Sequence, residues 1–238
     1  MKKKFYSPDL SDKRIYYASK YLEKTGYQQV ENCQNADFVL LGVNPDKKYL
    51  SYDIPIYAGN VSADNVFDYT KSEGFAAENA YVTAESALAT AITLSEKSLI
   101  NSSVLLTGYG RISKALHRYL SAFTTDITVS ARNPLQRASA CLNNAKAIDF
   151  DSLKANGNYD FIFNTVPHPV FNEEELSQIS PKTLLIDLAS FPGGVDKHIA
   201  KSKNINLITA RGLPAKYSPE TAGKIVAETV NTMITEGK

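Results

Sequence analysis

Residues 104–113 read V-L-L-T-G-Y-G-R-I-S, an apolar run that passes through two closely spaced glycines into a helical pattern. A dinucleotide-binding turn is built in this way, from a buried strand, a glycine-rich turn and the start of a helix. Gly108 permits the tight turn, Gly110 lets the backbone approach a pyrophosphate, and the N–H groups that begin the helix face its negative charge. Ser113 stands at the third glycine position and is small enough for close helix packing. The stretch therefore predicts a nucleotide-binding turn.

Short apolar runs alternate with helical patterns from residue 101 onward. The runs are nearly continuously apolar, as expected for strands that are buried on both faces of a parallel sheet. This order of strands and helices predicts an α/β fold with a doubly wound parallel Rossmann-type sheet. The predicted strands are 104–107, 127–130, 161–163, 184–188 and 205–208.

The first hundred residues have a different pattern, with short apolar runs separated by loops rich in Asn, Asp and Pro. An Ala-rich segment follows, for which Thr83 is a plausible N-cap. The predicted divisions are a smaller N-terminal α/β lobe for substrate or partner over 1–82, a connecting helix over 83–100, a Rossmann domain over 101–215, and a C-terminal helix over 216–238 that packs back toward the N-terminal lobe.

Net charge, apolar run length and the placement of Cys and His residues exclude several classes of binding partner. The 26 basic and 25 acidic residues leave a net charge of +1, so no electrostatic footprint for nucleic acid stands out. No apolar run reaches the roughly 18 to 20 residues that span a bilayer. Cys33 and Cys141 are far apart, and the three histidines have no metal-ligand spacing. We expect a cytoplasmic protein without nucleic-acid, membrane or metal partners.

The residue after the second Rossmann strand indicates which dinucleotide is bound. Arg132 lies about 20 residues beyond Gly110, where an NAD-selective site supplies an acidic residue to the ribose. A carboxylate would repel a 2′-phosphate, whereas a guanidinium pairs with it through two hydrogen bonds. Arg137 is close enough in sequence to reach the same group. The sequence therefore favours NADP over NAD.

Loops at the carboxyl ends of the later strands are the other candidate site segments, because ligands bind at that edge of an open α/β sheet. The loop after 161–163 carries His168, a candidate proton acceptor, and Arg211 and Lys216 are candidate ligands of a substrate carboxylate. We expect cofactor contacts from Gly108, Tyr109, Gly110, Arg111, Ile112, Ser130, Arg132, Arg137, Asn164, Thr165, Val166, Pro167, Ala189 and Ser190.

Several motifs taken together resemble the dipicolinate synthase family of spore-forming bacteria, in its NADP-linked A-type subunit. The resemblance covers roughly residues 75–235, and its Asp-Leu-Ala-Ser and Gly-Leu-Pro motifs are more specific than the glycine turn. The matching pieces are N-A at 79–80, T-A-E at 83–85, G-Y-G-R at 108–111, A-R at 131–132, N-T-V-P at 164–167, D-L-A-S-x-P-G-G-x-D at 187–196, G-L-P at 212–214 and P-x-T-A-G at 219–223.

The resemblance implies oxidation of a dihydrodipicolinate-type ring to dipicolinate, with NADP as hydride acceptor and a flavoprotein-like B-type subunit for a partner. Such a reaction needs a base for the proton and cations for a small dicarboxylate. Glu85, which matches a family position near the start of the connecting helix, is the preferred base candidate. A homodimer is expected by analogy with the scaffold.

Departures from the family pattern keep other functions open. The family opens with a strand and a Gly-Gly-Asp turn, whereas this chain begins K-K-F-Y-S-P-D over 3–9 and has a shorter first lobe. Phe191 stands where a basic residue is expected, and Ala215 and Ser113 replace glycines. The alternatives are an NADP-dependent dehydrogenase or reductase of another small carboxylate, or a non-catalytic nucleotide-binding subunit.

Overall fold

The structure is a computed structural model that describes residues 2–155 and 158–237. Helices and parallel strands alternate along almost the whole described chain. The strands are β1 (Lys4–Tyr6), β2 (Gln28–Val30), β3 (Phe38–Val43), β4 (Ile56–Gly59), β5 (Val66–Asp68), β6 (Val104–Thr107), β7 (Ile127–Ser130), β8 (Lys146–Ile148), β9 (Phe161–Asn164), β10 (Leu184–Asp187) and β11 (Asn206–Thr209). The α-helices are α1 (Lys13–Lys24), α2 (Glu73–Leu94), α3 (Arg111–Leu120), α4 (Pro134–Leu142), α5 (Glu173–Gln178), α6 (Lys197–Ser202), α7 (Leu213–Tyr217) and α8 (Pro219–Thr235).

The chain divides into two compact units. The central unit is the continuous segment Thr83–Leu213, and the terminal unit combines the residues up to Val82 with those from Pro214 onward. The boundary at Val82 falls inside α2, so this helix contributes residues to both units.

The central unit contains a six-stranded parallel sheet in the order β8-β7-β6-β9-β10-β11. This is the strand order of a dinucleotide-binding Rossmann fold, in which the order reverses between the first and fourth strands. Here the reversal lies between β6 and β9, and the residues of both strands are buried throughout. The predicted fold class is confirmed. The predicted strands at 104–107 and 127–130 have the observed bounds. Those at 161–163 and 184–188 differ by one residue at one end, and the one at 205–208 is shifted by one residue.

The terminal unit contains a five-stranded parallel sheet in the order β2-β1-β3-β4-β5. Its core joins Phe5 and Phe38 of the sheet to Ile15 and Leu22 of α1 and to Val230 of α8. The two helices approach closely at Gly223, where an added Cβ would lie 2.5 Å from the carbonyl oxygen of Arg14 and 2.7 Å from Cβ of Tyr17. The smaller α/β lobe thus has a complete parallel sheet of its own, and the C-terminal helix packs into the core of the same unit.

The prediction of a connecting helix over 83–100 is wrong at both ends. Helix α2 begins at Glu73, where the N–H of Phe75 donates to the Ser72 hydroxyl, and Thr83 is a buried residue in its interior. Phe75 and Val82 both join the core of the terminal unit, and this burial outweighs the roughly 1 kcal/mol that Gly74 costs in a helix. The polar residues that follow Leu94 end the helix early.

The opening segment, which departs from the family pattern in sequence, still forms a strand. The residues Lys4–Tyr6 form β1, which pairs in parallel with β2 on one side and β3 on the other. Phe5 is fully buried and stacks on Phe38, with ring centroids 5.8 Å apart. Because only one of its three side chains is fully buried, the strand has no apolar run that identifies it in the sequence. Within the described part of the chain, no helix is both long and apolar enough to cross a membrane.

The close approach at Gly223 generates a prediction. Gly223→Ala should lower the free energy of unfolding by about 1–3 kcal/mol, because backbone atoms of α1 block the added methyl group. Urea denaturation followed by circular dichroism measures the effect. Gly74→Ala is the matched control, since its nearest neighbour lies 3.7 Å away and alanine favours the helix. Equal effects of the two substitutions would contradict the prediction.

Candidate functional site

The glycine turn follows β6 at the point where the strand order of the central sheet reverses. Gly108 has a φ of +79°, and its N–H donates to the carbonyl of Ser130 at 2.8 Å. An added Cβ would lie 2.9 Å from both Thr165 Oγ1 and Val166 Cγ2. Conformation and space therefore both require glycine here.

The start of α3 has the form that a pyrophosphate needs. A Cβ at Gly110 would meet nothing within 4 Å, so one side of the turn is open. Gly110 is the N-cap of α3 and has no side chain that could accept from the first turn. The first N–H groups of a helix and its dipole favour a negative group at this place. Arg111 is exposed and Ile112 half-buried beside it. The turn fits a dinucleotide.

Tyr109, in the middle of the turn, directs its side chain into the protein. It is 3% exposed, and its hydroxyl lies 2.8 Å from Nδ1 of His117 on α3, with which it shares a hydrogen bond. Burial raises the pKa of Tyr109 and lowers that of His117. The phenol therefore anchors the turn to the helix, and only the backbone of Tyr109 is available to contact a cofactor.

Asn164, at the carboxyl end of β9, is the centre of a buried hydrogen-bond network. Its Nδ2 donates to Asp187 Oδ1 at 2.7 Å and to the Val166 carbonyl at 3.2 Å. Its Oδ1 accepts from the Thr107 hydroxyl at 2.5 Å and from the Val166 N–H at 3.1 Å. Asn164 is fully buried and its amide is saturated, so the side chain positions the loop instead of contacting a cofactor.

The loop 165–168 follows directly from this network. Thr165 donates its hydroxyl to the Thr107 carbonyl at 2.8 Å, and Val166 is half-buried beside the glycine turn. Pro167 and His168 are exposed. Among residues 2–155 and 158–237, none makes a hydrogen bond or ion pair with the His168 imidazole. Pro167 and His168 therefore follow directly after residues that the Asn164 network holds in place.

Asp187 holds the second loop of the site through backbone groups. Its Oδ1 accepts from the Ala189 N–H at 3.3 Å and its Oδ2 from the Gly194 N–H at 3.4 Å. Gly193 has a φ of +97°, and a Cβ on Gly194 would lie 2.5 Å from the Val166 carbonyl oxygen. The glycines let the loop fold over a buried carboxylate, with Ala189 buried and Ser190 exposed beside them.

Arg132 and Arg137 have different roles in the structure. The guanidinium of Arg137 donates through one nitrogen to the carbonyls of Ala131 and Arg132, at 2.7 and 2.8 Å. It therefore braces the segment after β7. Arg132 is exposed, and in the described chain no residue forms a hydrogen bond or ion pair with its side chain. Ser130 is buried, and its hydroxyl donates to the Asp149 carbonyl at 3.1 Å.

The predicted carboxylate ligands also differ from each other. Arg211 donates from Nε to the Ala189 carbonyl at 3.3 Å and from a terminal nitrogen to the Pro192 carbonyl at 3.0 Å. Its guanidinium lies 5.7 Å from the centroid of the exposed Phe191 ring. Arg211 thus clamps the loop 189–194. Lys216 belongs to the terminal unit, where its ammonium lies over the Tyr217 ring, and its role stays a prediction.

Glu85, the preferred base candidate, is an exposed residue of α2 in the central unit. Its carboxylate makes no hydrogen bond or ion pair with the part of the chain that the structure describes. A cluster of three or more His, Cys, Asp or Glu residues suited to a metal ion is not found among the described residues.

Two features of the site were not predicted from the sequence, namely the role of Thr107 and the bond between Tyr109 and His117. Thr107 ends an apolar strand of four buried residues, and a hydroxyl at such a position needs a partner. A threonine at the end of an apolar run therefore indicates, from the sequence alone, a buried hydroxyl with a hydrogen-bond partner. The bond joins residues eight apart in the chain, about two helical turns, and depends on how the Tyr109 side chain packs against α3, which no local pattern indicates.

A family profile matches residues 72–193, just over half of the chain, and its description is the D-isomer specific 2-hydroxyacid dehydrogenase NAD binding domain. This chain belongs to that dehydrogenase family. Membership agrees with the glycine turn and the strand order, and it supports a nicotinamide cofactor.

Within the dehydrogenase family, the resemblance to the A-type subunit of dipicolinate synthase is confirmed. The Bacillus subtilis (strain 168) protein of that name is 32% identical over 159 residues, which cover 66% of this chain and 54% of the relative. The chain thus matches about half the length of this curated relative.

Solved structures agree in fold. The A-type subunit of dipicolinate synthase from Bacillus halodurans gives a TM-score of 0.86 at 20% identity, covering 98% of this chain and 97% of that chain. The apo-structure of D-lactate dehydrogenase from Escherichia coli gives 0.66 at 16% identity, covering 100% and 98%.

The buried network generates a second prediction. Asn164→Ala should lower the free energy of unfolding by about 2–4 kcal/mol, because it leaves the Asp187 carboxylate and the Thr107 hydroxyl without their partner. Asn206→Ala, on an exposed position of the same sheet, is the control and should stay within about 0.5 kcal/mol of the parent. Chemical denaturation measures the free energy of unfolding of both variants. An Asn164 variant that is as stable as the parent would refute the role assigned to the network.

Proposed function

We propose that this chain is an NADP-dependent oxidoreductase that resembles the A-type subunit of dipicolinate synthase in its reaction. Its substrate is a dihydrodipicolinate-type ring, which becomes dipicolinate by losing a hydride and a proton. The nicotinamide, when bound, accepts the hydride. The observation that carries the cofactor half of the proposal is the exposed guanidinium of Arg132, which has no partner among the described residues. Arg132 lies two residues after Ser130, whose carbonyl accepts from the Gly108 N–H of the open glycine turn.

The choice of NADP over NAD rests on the charge of Arg132 and on the hydrogen bond that holds the segment carrying it. A guanidinium presents two parallel N–H groups to a phosphate, whereas NAD offers only ribose hydroxyls at that place. Arg137 fixes the carbonyl of Arg132 and so limits the backbone freedom of the segment that presents it. A cation on a braced segment loses little entropy when it pairs with a 2′-phosphate.

Glu85 is the proposed proton acceptor. Its carboxylate is exposed and has no partner within the described residues, so it is available to take a proton from a ring carbon or a ring nitrogen. His168 is the second candidate, since it stands on the loop that Asn164 fixes and an imidazole accepts protons near neutral pH.

Arg211 supports recognition of an acidic substrate. Two of its nitrogens hold loop carbonyls, and the remaining terminal nitrogen is left for a carboxylate. The name of the Bacillus subtilis relative describes one subunit of a larger enzyme, and a flavoprotein-like B-type subunit is the partner that we propose here by analogy.

A dehydrogenase of another small carboxylate is the second candidate function. Phe191 is 84% exposed and lies against the Arg211 guanidinium, at a position where the resemblance leads one to expect a basic residue. The loop therefore offers one cation fewer to a dicarboxylate than the expected pattern. A monocarboxylate substrate fits that difference better.

Calorimetry with the purified chain tests these proposals. NADPH and NADH are titrated first, and dipicolinate is then added to the NADPH-saturated protein. Preferred binding of NADPH followed by binding of dipicolinate supports the synthase-type reaction. NADPH binding without dipicolinate binding favours another carboxylate or a non-catalytic protein, which turnover assays with small hydroxy and keto acids separate. Absence of nucleotide binding would overturn the cofactor proposal.

The role of Arg132 yields a specific prediction. Arg132→Gln should weaken NADPH binding roughly 10- to 100-fold and leave NADH binding nearly unchanged, since a charged hydrogen bond contributes about 1.5–3 kcal/mol. Lys182→Gln removes another exposed cation from the same unit and is the control. Equal losses for NADPH and NADH would count against a contact with the 2′-phosphate.

Glu85 is tested by an isosteric change. Glu85→Gln should reduce kcat roughly 100-fold or more with the NADPH dissociation constant unchanged, because the amide cannot accept the proton. Glu78→Gln, an exposed position on the same helix, should leave both quantities unchanged. Full activity of the Glu85 variant would transfer the proton-accepting role to His168.

A further inference from the structure

Phe191 is an exposed aromatic residue in the loop 189–194, which follows β10 at the carboxyl edge of the central sheet. Its side chain is 84% exposed, although phenylalanine is among the residues that gain most from burial. Single apolar side chains on a protein surface are common, so exposure alone assigns no role to the ring. The groups around Phe191 decide whether the ring is a binding surface.

Hydrogen bonds hold the backbone on both sides of Phe191. Arg211 donates to the carbonyl of Ala189, two residues before the ring, at 3.3 Å, and to the carbonyl of Pro192, directly after it, at 3.0 Å. A side chain on a segment that is already held loses less entropy when a ligand binds to it. The loop therefore presents an almost uncovered ring on a fixed backbone.

The loop of Phe191 adjoins the glycine turn through the loop that follows β9. A Cβ on Gly194 would lie 2.5 Å from the Val166 carbonyl oxygen, and a Cβ on Gly108 would lie 2.9 Å from Val166 Cγ2. Val166 thus lies between the glycine turn and the loop 189–194, and all of these residues belong to the central unit. Phe191 is therefore at the edge of the sheet where open α/β folds bind their ligands.

The guanidinium of Arg211 supplies a positive charge beside this ring. It lies 5.7 Å from the ring centroid, and no described residue accepts from its second terminal nitrogen. The Asp187 carboxylate does not compete for a ligand at the surface, because it is fully buried and accepts from Asn164 and two backbone N–H groups. One small molecule can reach both groups, since stacked rings have centroids about 4.5–7 Å apart and a charged N–H···O bond spans about 2.7–2.9 Å.

We propose that Phe191 and Arg211 together select a substrate with a flat ring that carries a carboxylate. The ring stacks on Phe191, and the carboxylate accepts a hydrogen bond from the remaining Arg211 nitrogen. This inference rests on the carboxylate-binding role proposed for Arg211 and names the substrate class of the same site. An aliphatic hydroxy acid offers the charge without the ring, so Phe191 favours ring carboxylates over chain carboxylates.

Two ligands of matched size and charge test the proposal. Benzoate and cyclohexanecarboxylate each carry one carboxylate on a ring of the same number of carbons, and only the benzoate ring is flat and aromatic. Both are titrated into the full chain by ligand-observed NMR, with and without saturating NADPH, and a preference in either state counts. Benzoate should bind roughly 3- to 10-fold more tightly, which is the range that an aromatic pair contributes beyond its buried area.

Substitutions at position 191 separate ring stacking from simple apolar contact. Phe191→Leu should abolish the preference for benzoate, because leucine keeps apolar area without an aromatic face, whereas Phe191→Tyr should retain it. Phe123→Leu, at another exposed phenylalanine of the same unit, is the control and should leave both affinities unchanged. Equal thermal midpoints establish that each variant is folded.

The outcomes for this inference and for the proposed reaction are distinct. Equal binding of the two ligands, binding of neither, or a benzoate preference that survives in Phe191→Leu would each overturn the inference. A benzoate preference that depends on Phe191, in a chain that does not bind NADPH, would support the ring site and contradict the NADP-dependent reaction. NADPH binding without that preference would leave the cofactor proposal standing and overturn the role of Phe191.

Discussion

The hydrogen bond between Asn164 and the buried carboxylate of Asp187 is the constraint on which the rest of the central unit depends. A carboxylate without solvent is tolerated only when several donors surround it, and here an amide and two backbone N–H groups do so. The oxygen of the same amide accepts a hydrogen bond from the Thr107 hydroxyl. One network therefore fixes the carboxyl ends of three neighbouring strands, β6, β9 and β10, and the loops that leave them.

Residues around the site divide into those that hold loops and those left for ligands. Asn164, Arg137 and Arg211 are polar and stand where ligand contacts are expected, yet each directs hydrogen bonds to carbonyls or buried groups of the protein itself. Arg132 and Glu85 are exposed and have no such bonds among the described residues. Preorganisation explains the division, since a loop that is already held loses less entropy on binding.

The strands of the central sheet could be predicted because burial on both faces produces continuous apolar runs, as in 104–107 and 127–130. The position of Arg132 was predictable for a related reason, since the fold fixes the distance from the glycine turn. Helix α2 was misplaced because the burial of Phe75 and Val82 is tertiary, whereas Gly74 suggests a break locally. The saturated amide of Asn164 was equally hidden, because its partner Asp187 is 23 residues away in the chain.

The terminal unit is assembled from both ends of the chain. Tyr21 of α1 donates to Glu228 of α8 across 207 residues, and Phe5, Ile15 and Leu22 share one core with Val230. The central unit is continuous and is completely translated before α8 leaves the ribosome. During synthesis, the first part of the chain must therefore remain without its covering helix while the central unit folds. The residues before the central unit are thus made earlier than it and completed later, and their apolar side chains stay open to other chains during that interval.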